Sequence, residues 1–523
     1  MSVRRPSVLL APLAIVVALV GPLPASAAAA AANREELPLG RPSLPETRTT
    51  TTLAAGVTRT HVERGFASKR DGYVVDVAFA ATRRDARKTV RDLRAAGYEG
   101  RVERVAERAA DDPRRGPLGY LVRSGTVGEQ ATADERRAAL VAAGFAEART
   151  VYTGEDGGRT TGPWVLDVLE VDPGAFGGDV TPALATTIVP GRETLTSLAG
   201  PFAALAGVNG GYFVIGAANG TDGDLAGISV LDGQLVSEAI DRRTSLVLPT
   251  RSGEGARVEA LRTNGAVRSS DGARRELDGL NRIPGLIRNC GGVGGDRPTQ
   301  APLHDVTCTD PSELIRYDAR FGASTDPGPG FEVVLARDGT VTGRRQERGG
   351  AIPAEGAVLA GTGDGADWLR AHARVGRRVA VPVTASGRRG PLRLGDELGV
   401  VNGGPRLLRR GSPAVNARAE GFDHPGDPEF FYRFGVRRNP RTLAGVTPSG
   451  NLLLVTVDGR RPGYSVGASF DEEAAIIRAL GARDALNLDG GGSTTMVARG
   501  QLVNRPADAT GERAIGDAIL LEP

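Results

Sequence analysis

The sequence predicts an α+β protein: a sheet-dominated mixed domain preceded by a small βαββαβ module. Two observations carry this. Gly72-Tyr73-Val74-Val75 recurs as Gly119-Tyr120-Leu121-Val122, and twenty-five residues after each leading glycine stand Gly97-Tyr98 and Gly144-Phe145. From Trp164 onward the composition turns to Val/Leu runs of strand length separated by glycine turns, with few helical stretches.

The elements come in this order. Arg4 and Arg5, the apolar run Val8 to Val20 and Ala25-Ser26-Ala27 read as a secretory signal peptide over 1–27. Pro12, Pro22 and Pro24 keep that run short for a membrane span, and no later stretch replaces it, so the mature chain is expected to have none. Residues 28–67 are rich in Ala, Thr, Pro and Arg without a steady apolar period and read as a linker or disordered lead-in. The module takes 68–155. In each half a strand leads into a helical run that ends at a glycine suited to a left-handed cap, and a second strand comes after it. The larger domain takes 162–523. Its expected strands include Trp164–Val171, Thr244–Leu248, Phe331–Ala336, Asn451–Val457 and Ala485–Leu488. Its expected helices are Glu193–Ala206, Ala366–Ala373 and Phe470–Leu480, the last opened by Ser469 and Glu472 at capping-box spacing.

Composition narrows the function. Hydrophobic residues make up 40% and charged residues 24%, as in a soluble globular protein. The net charge is +3, and two arginines fall in the segment expected to be removed, which leaves the remainder near +1 with no dense basic block. That excludes the basic stripe of a nucleic-acid binder. The two cysteines, Cys290 and Cys308, are expected to pair as a disulfide in an exported chain. No HExxH, P-loop or cysteine/histidine cluster occurs. No cofactor is therefore expected, and a divalent cation is left open.

Three Asn-Gly-rich turns stand out: Asn209-Gly210-Gly211-Tyr212-Phe213, Asn402-Gly403-Gly404-Pro405 and Asn487-Leu488-Asp489-Gly490-Gly491-Gly492-Ser493. One Asn-Gly pair makes a hairpin turn. Three consecutive glycines let backbone approach a ligand and gather N–H groups into an anion-binding concavity, with Ser493 placed to cap the next segment. Between the last two turns lie Pro440-Arg441-Thr442 and Val457-Asp458-Gly459-Arg460. Asp458 and Asp489 both fall at strand ends, and the Arg441 fork suits a phosphate oxygen. His424, beside Pro425, is read as structural.

These five motifs, in this order, resemble the phosphodiester glycosidase family over about Trp164 to Leu521. The resemblance implies hydrolysis between a sugar anomeric carbon and a phosphodiester oxygen, with a carbohydrate or phosphoglycan substrate. In that reading Arg441 and the amides of Gly490 to Gly492 stabilise the departing phosphate. A carboxylate, Asp489 first and Asp458 second, serves the anomeric carbon. Asn209 and Asn402 hold sugar hydroxyls. The stretch around Cys290 to Cys308 lies outside the five motifs. The repeat at 71–152 is similar to the SPOR domain, which implies peptidoglycan as a partner. The alternative reading is a non-catalytic peptidoglycan- or exopolysaccharide-binding protein of the envelope.

Overall fold

The computed structural model describes residues 35–240, 242–249, 255–290, 304–395 and 398–523, so the expected signal peptide lies outside the described residues. The centre of the molecule is an eight-stranded antiparallel sheet. Its order is Glu46–Ala54, Val57–Arg64, Trp164–Val171, Leu452–Val457, Arg441–Val446, Asp484–Asn487, Arg406–Arg409 and Ser412–Pro413. The helix Phe470–Ala479 packs on it through Phe470, Ala474, Ile476 and Ile477, held at its start by the expected Ser469/Glu472 capping box. Gly481, at φ 99°, comes after the helix end in the left-handed conformation.

The first two strands correct the expectation of a linker over 28–67. Glu46–Ala54 and Val57–Arg64 form a hairpin that pairs along its length with Trp164–Val171. A run of threonines, Thr49 to Thr52, hides the strand from an apolar-period reading, because a β-branched polar residue suits a sheet surface as well as an apolar one does. Buried Val57 and Val62, with Arg59 and His61 bonded to Asp167 at 2.9 and 3.1 Å, tie the hairpin down. The repeat module is thus inserted between two neighbouring strands of the central sheet.

That module has the expected βαββαβ order. Its sheet runs Arg101–Val105, Gly119–Gly128, Tyr73–Ala80, Arg149–Tyr152. The helices Arg83–Ala95 and Gln130–Ala142 cover one face with Ala86, Val90, Leu93, Ala133 and Leu140 against Val75, Val77 and Val122. The other face meets the rest of the chain: Phe79, Leu121 and Tyr152 join the core of the central sheet beside Phe431, Tyr432 and Val436.

The expected helix Glu193–Ala206 is a single turn and a half, Leu195–Ala199, with a buried strand after it at Ala206–Asn209. Pro201 stops it, since proline has no N–H for the ladder.

Candidate active site

Three sheets end at one place. In the central sheet, Arg441–Val446 pairs with both Leu452–Val457 and Asp484–Asn487, so Arg441, Asp458 and the turn after Asn487 share an edge. A second sheet brings Ala206–Asn209 between Met496–Ala498 and Asp517–Glu522. A third brings Leu398–Asn402 beside Thr244–Pro249.

The three asparagines brace this junction. Asn209 Oδ1 accepts from the Thr442 hydroxyl (2.7 Å) and Thr495 N–H (3.1 Å), and its Nδ2 donates to the Asp489 carbonyl (2.8 Å). Asn402 clamps the Tyr212 backbone, accepting from its N–H at 2.9 Å and donating to its carbonyl at 3.3 Å. Asn487 donates to the Tyr212 hydroxyl (2.6 Å) and the Gly404 carbonyl (2.9 Å). All three are buried. The glycines serve close approach: a β-carbon on Gly211 would lie 2.5 Å from the Asn402 side chain, and one on Gly492 2.2 Å from the Arg513 guanidinium.

In front of the brace is a cavity of ≈ 280 Å³, lined among others by Tyr212, Phe213, His304, Asn439, Arg441, Arg460, Asp489, Gly490, Gly491 and Arg513. Of the residues singled out in the sequence, Arg441, Asp489, Gly490 and Gly491 reach it. Asn209, Gly210, Gly211, Asn402, Gly403, Gly404, Asn487, Gly492 and Ser493 stand outside its lining. Asn209 and Asn402 are accordingly braces rather than sugar ligands. Asn209 spends both acceptor and both donor positions inside the protein, and Asn402 is turned to the Tyr212 backbone.

Asp458 is likewise not in the lining. Its carboxylate accepts from Asn504 Nδ2 (2.9 Å), Arg505 N–H (3.0 Å) and the Tyr464 hydroxyl (3.0 Å), so it organises the loop over residues 504–505. The amide nest is also corrected. Gly490 N–H donates to Asp489 Oδ1 at 2.8 Å and Gly491 N–H to the Pro440 carbonyl at 2.9 Å, so neither is available to a ligand.

Positive charge comes from side chains instead. Arg441 is buried and sits 2.7 Å from Glu473. Its Nε–H is aimed at the Ala468 carbonyl (3.0 Å), Nη2 donates to the Phe434 carbonyl, and the guanidinium lies over Phe470, 4.6 Å from the ring centre. Arg513 is held by Asp508 (2.8 Å) and Arg288 by Asp305. Arg460 differs. Its Nη2 donates to Asn439 Oδ1 at 2.9 Å, and no salt bridge among the described residues engages it. The residue is exposed to solvent at the cavity.

Two carboxylates line the cavity, Asp305 and Asp489. Asp305 belongs to Arg288. Asp489 has no ion pair among the described residues. Burial pushes its pKa up to about 6, against the pull of the Ser493 hydroxyl, the Gly490 N–H and Arg513. The Ser493 hydroxyl faces it at a geometry short of a full hydrogen bond. Behind it, Asp517 accepts Gly211 N–H at 2.9 Å, and burial, opposed by that bond and reinforced by Asp489, raises it to about 7.

The Cys290–Cys308 disulfide forms as expected, across the short ladder Ile287–Arg288 with Thr307–Cys308. His304 and Asp305, inside the loop it closes, and Arg288 and Asn289, just before it, line the cavity. His304 packs 4.2 Å from the Tyr212 ring and 4.8 Å from Phe434, and its Nδ1 has no partner among the described residues. Burial and neighbouring arginines hold its pKa well below the usual value, so it stays a neutral imidazole. His424 accepts Gly426 N–H in its own turn, a structural role as expected. No group of three or more His, Cys, Asp or Glu side chains placed to hold a metal occurs among the described residues.

Residues 331–522 match the phosphodiester glycosidase family. That stretch is the part of the chain that is similar to the family. The matched stretch contains Arg441, Arg460 and Asp489, while Tyr212, Arg288 and His304 precede it. Over 103 residues it is 33% and 34% identical to N-acetylglucosamine-1-phosphodiester alpha-N-acetylglucosaminidase of Mus musculus and Bos taurus. It spans about a fifth of the length of these curated relatives, 20% and 19%. A crystal structure of a protein of Burkholderia pseudomallei K96243, described as exported, is similar over 93% of this chain and 98% of its own, at 35% identity and TM-score 0.86. A protein from Synechocystis shares the fold, with TM-score 0.53 at 18% identity over 92% of this chain and 81% of its own. No helix among the described residues is long and apolar enough to cross a membrane.

The disulfide has a measurable consequence in this setting. A Cys290→Ser/Cys308→Ser double variant releases a cross-link between residues 18 apart. A loop of that size is worth about 3 kcal/mol of chain entropy. Calorimetry is expected to show a Tm lower by several degrees, and steady-state kinetics a raised KM, because one wall of the cavity is loosened.

Proposed function

We propose that the chain is an exported hydrolase that cleaves the bond between a sugar anomeric carbon and a phosphodiester oxygen in envelope or extracellular glycans. The supporting observation is the pairing left over in the cavity. Asp489 is the lining carboxylate without an ion pair, and Arg460 is the lining guanidinium without one, among the described residues. A sugar-1-phosphodiester carries one negative charge beside a carbon that becomes positive as its bond breaks. Arg460 takes the phosphate, whose negative charge grows as it leaves. Asp489 faces the anomeric carbon and either stabilises its charge, attacks it or activates water. A phosphate monoester is already a fair leaving group, so the site has less need of a strong general acid. The apolar segment Val8 to Val20, the disulfide and the similarity to a protein described as exported fit secretion.

The test is hydrolysis of a sugar-1-phosphodiester in ¹⁸O-labelled water, read by mass spectrometry. Label on the sugar hydroxyl is the expected result. Label on phosphate means that the P–O bond is broken, and the chain is then a phosphodiesterase of another kind.

A further inference from the structure

We propose that the cleft between the repeat module and the segment Pro428–Arg437 is a second subsite of the same active site, and that it holds a carbohydrate aglycone beyond the phosphate. This rests on the reading of the first cavity given above. The cleft has a volume of ≈ 370 Å³. Its lining includes Phe79, Leu121 and Val151 from the module sheet and Tyr432 and Arg433 from the facing segment. It also includes Asn439 and Arg460, both of which line the first cavity as well.

The shared pair sets the direction of the substrate. Arg460 donates to Asn439 Oδ1, and Asn439 Nδ2 donates to the carbonyls of Arg433 (3.0 Å) and Arg437 (3.1 Å). One hydrogen-bonded chain thus runs from the guanidinium proposed to hold the phosphate to the wall of the second cleft. With the sugar on the Asp489 side of Arg460, whatever the phosphate carries on its other oxygen leaves past Asn439 into that cleft.

The chemistry of the cleft selects the occupant. Its lining holds an aromatic pair, Phe79 stacked on Tyr432 at 5.5 Å between centroids and 25° between planes, together with the charged Asp76, Glu155 and Arg437. Its rim carries both signs of charge. The Arg149 side chain is 37% exposed and stands 3.8 and 3.7 Å from Glu147 and Glu429, separations too long for tight pairing. An aromatic and aliphatic patch among charged donors and acceptors matches the apolar face and equatorial hydroxyls of a sugar ring. A lipid tail would strand the rim charges. A nucleoside would call for a deeper aromatic slot. The face of the module that its helices leave open is used here, inside the chain, which makes the module part of the substrate channel.

The experiment compares kcat/KM for two substrates with the same sugar-1-phosphate, one bearing a methyl aglycone and one a second sugar. The native protein is expected to prefer the second by about tenfold or more. Phe79→Ala and Arg149→Ala are expected to erase that preference by raising KM for the extended substrate. Arg149 is partly exposed, so its variant keeps the test open should the Phe79 variant fold poorly. Turnover of both substrates without preference overturns the subsite and leaves the active-site reading standing, as does an equal loss on both substrates in the Arg149 variant. Turnover of neither substrate overturns the active-site reading, and the subsite with it.

Discussion

Asp489→Asn is expected to lower kcat on a sugar-1-phosphodiester by about 10³-fold or more, the scale of losing a carboxylate that works in the transition state. The substitution is nearly isosteric, and the amide oxygen can still accept Gly490 N–H, the bond that Oδ1 makes at 2.8 Å. Stability should therefore be retained. A carboxylate held at about 6 by burial also predicts the pH profile. If the ionised form is the working one, kcat/KM is level above about pH 6 and falls tenfold per unit below it. Stability runs the other way. A folded-state pKa raised above the unfolded value contributes stability at low pH that is lost as pH rises through the folded pKa. Asp489 and Asp458, at about 6, and Asp517, at about 7, all act in this sense, so Tm is expected to fall between about pH 4 and pH 7. His304 opposes this, because its lowered pKa favours the folded state at higher pH. The Asn variant should show a weaker pH dependence of Tm. An Asp489→Asn protein that folds and retains native turnover would remove Asp489 from the chemistry.

The turns were legible in the sequence and their side-chain directions were not. Asn209, Asn402 and Asn487 each precede or open a glycine turn at a strand end, and all three do converge. Sequence spacing places a turn at the end of a strand; it does not say whether the asparagine points forward to a ligand or back to the next sheet's carbonyls. The brace is made between strands far apart in the chain, as in the Asn209–Thr442 bond, and only the packing of three sheets shows it. Asp458 misled for the same reason, its partners Tyr464, Asn504 and Arg505 coming from two later loops. Arg460 was within a motif already singled out, yet an arginine after Asp-Gly looks like the solvated end of a hairpin. His304 and Arg513 have no local pattern at all. The hairpin Glu46–Arg64 was missed because a run of threonines hides its first strand, whereas the βαββαβ repeat was visible because glycines end both helices at the same offset.

Arg460 and Arg441 are separated by their opposite expected signatures. Arg460→Gln removes the lining guanidinium without a carboxylate partner among the described residues, while glutamine can still donate to Asn439. kcat/KM is expected to fall by about 10²–10³-fold, the scale of removing one donor aimed at developing charge. Tm should move little. Arg441→Gln leaves a buried carboxylate, Glu473, without its neighbour at 2.7 Å, and frees the carbonyls of Ala468 and Phe434 from their donor. Burial already pushes Glu473 up to about 8, so it answers by taking a proton and not by finding a new partner. Leaving the Ala468 and Phe434 carbonyls without a donor costs about 1–3 kcal/mol each. The expected result is a Tm lower by many degrees, with kinetic loss tracking the loss of folded protein. The two variants measured together, by calorimetry and by kcat/KM on the folded fraction, decide which arginine meets the phosphate. If Arg441→Gln keeps its Tm and loses turnover while Arg460→Gln stays active, the phosphate belongs to Arg441, and the ion pair with Glu473 is a resting contact that substrate displaces. The distinction extends to substrate length. Arg460 lines the second cleft and Arg441 does not, so a defect from Arg460→Gln should be larger on an extended substrate than on a methyl one, and a defect from Arg441→Gln should be the same on both.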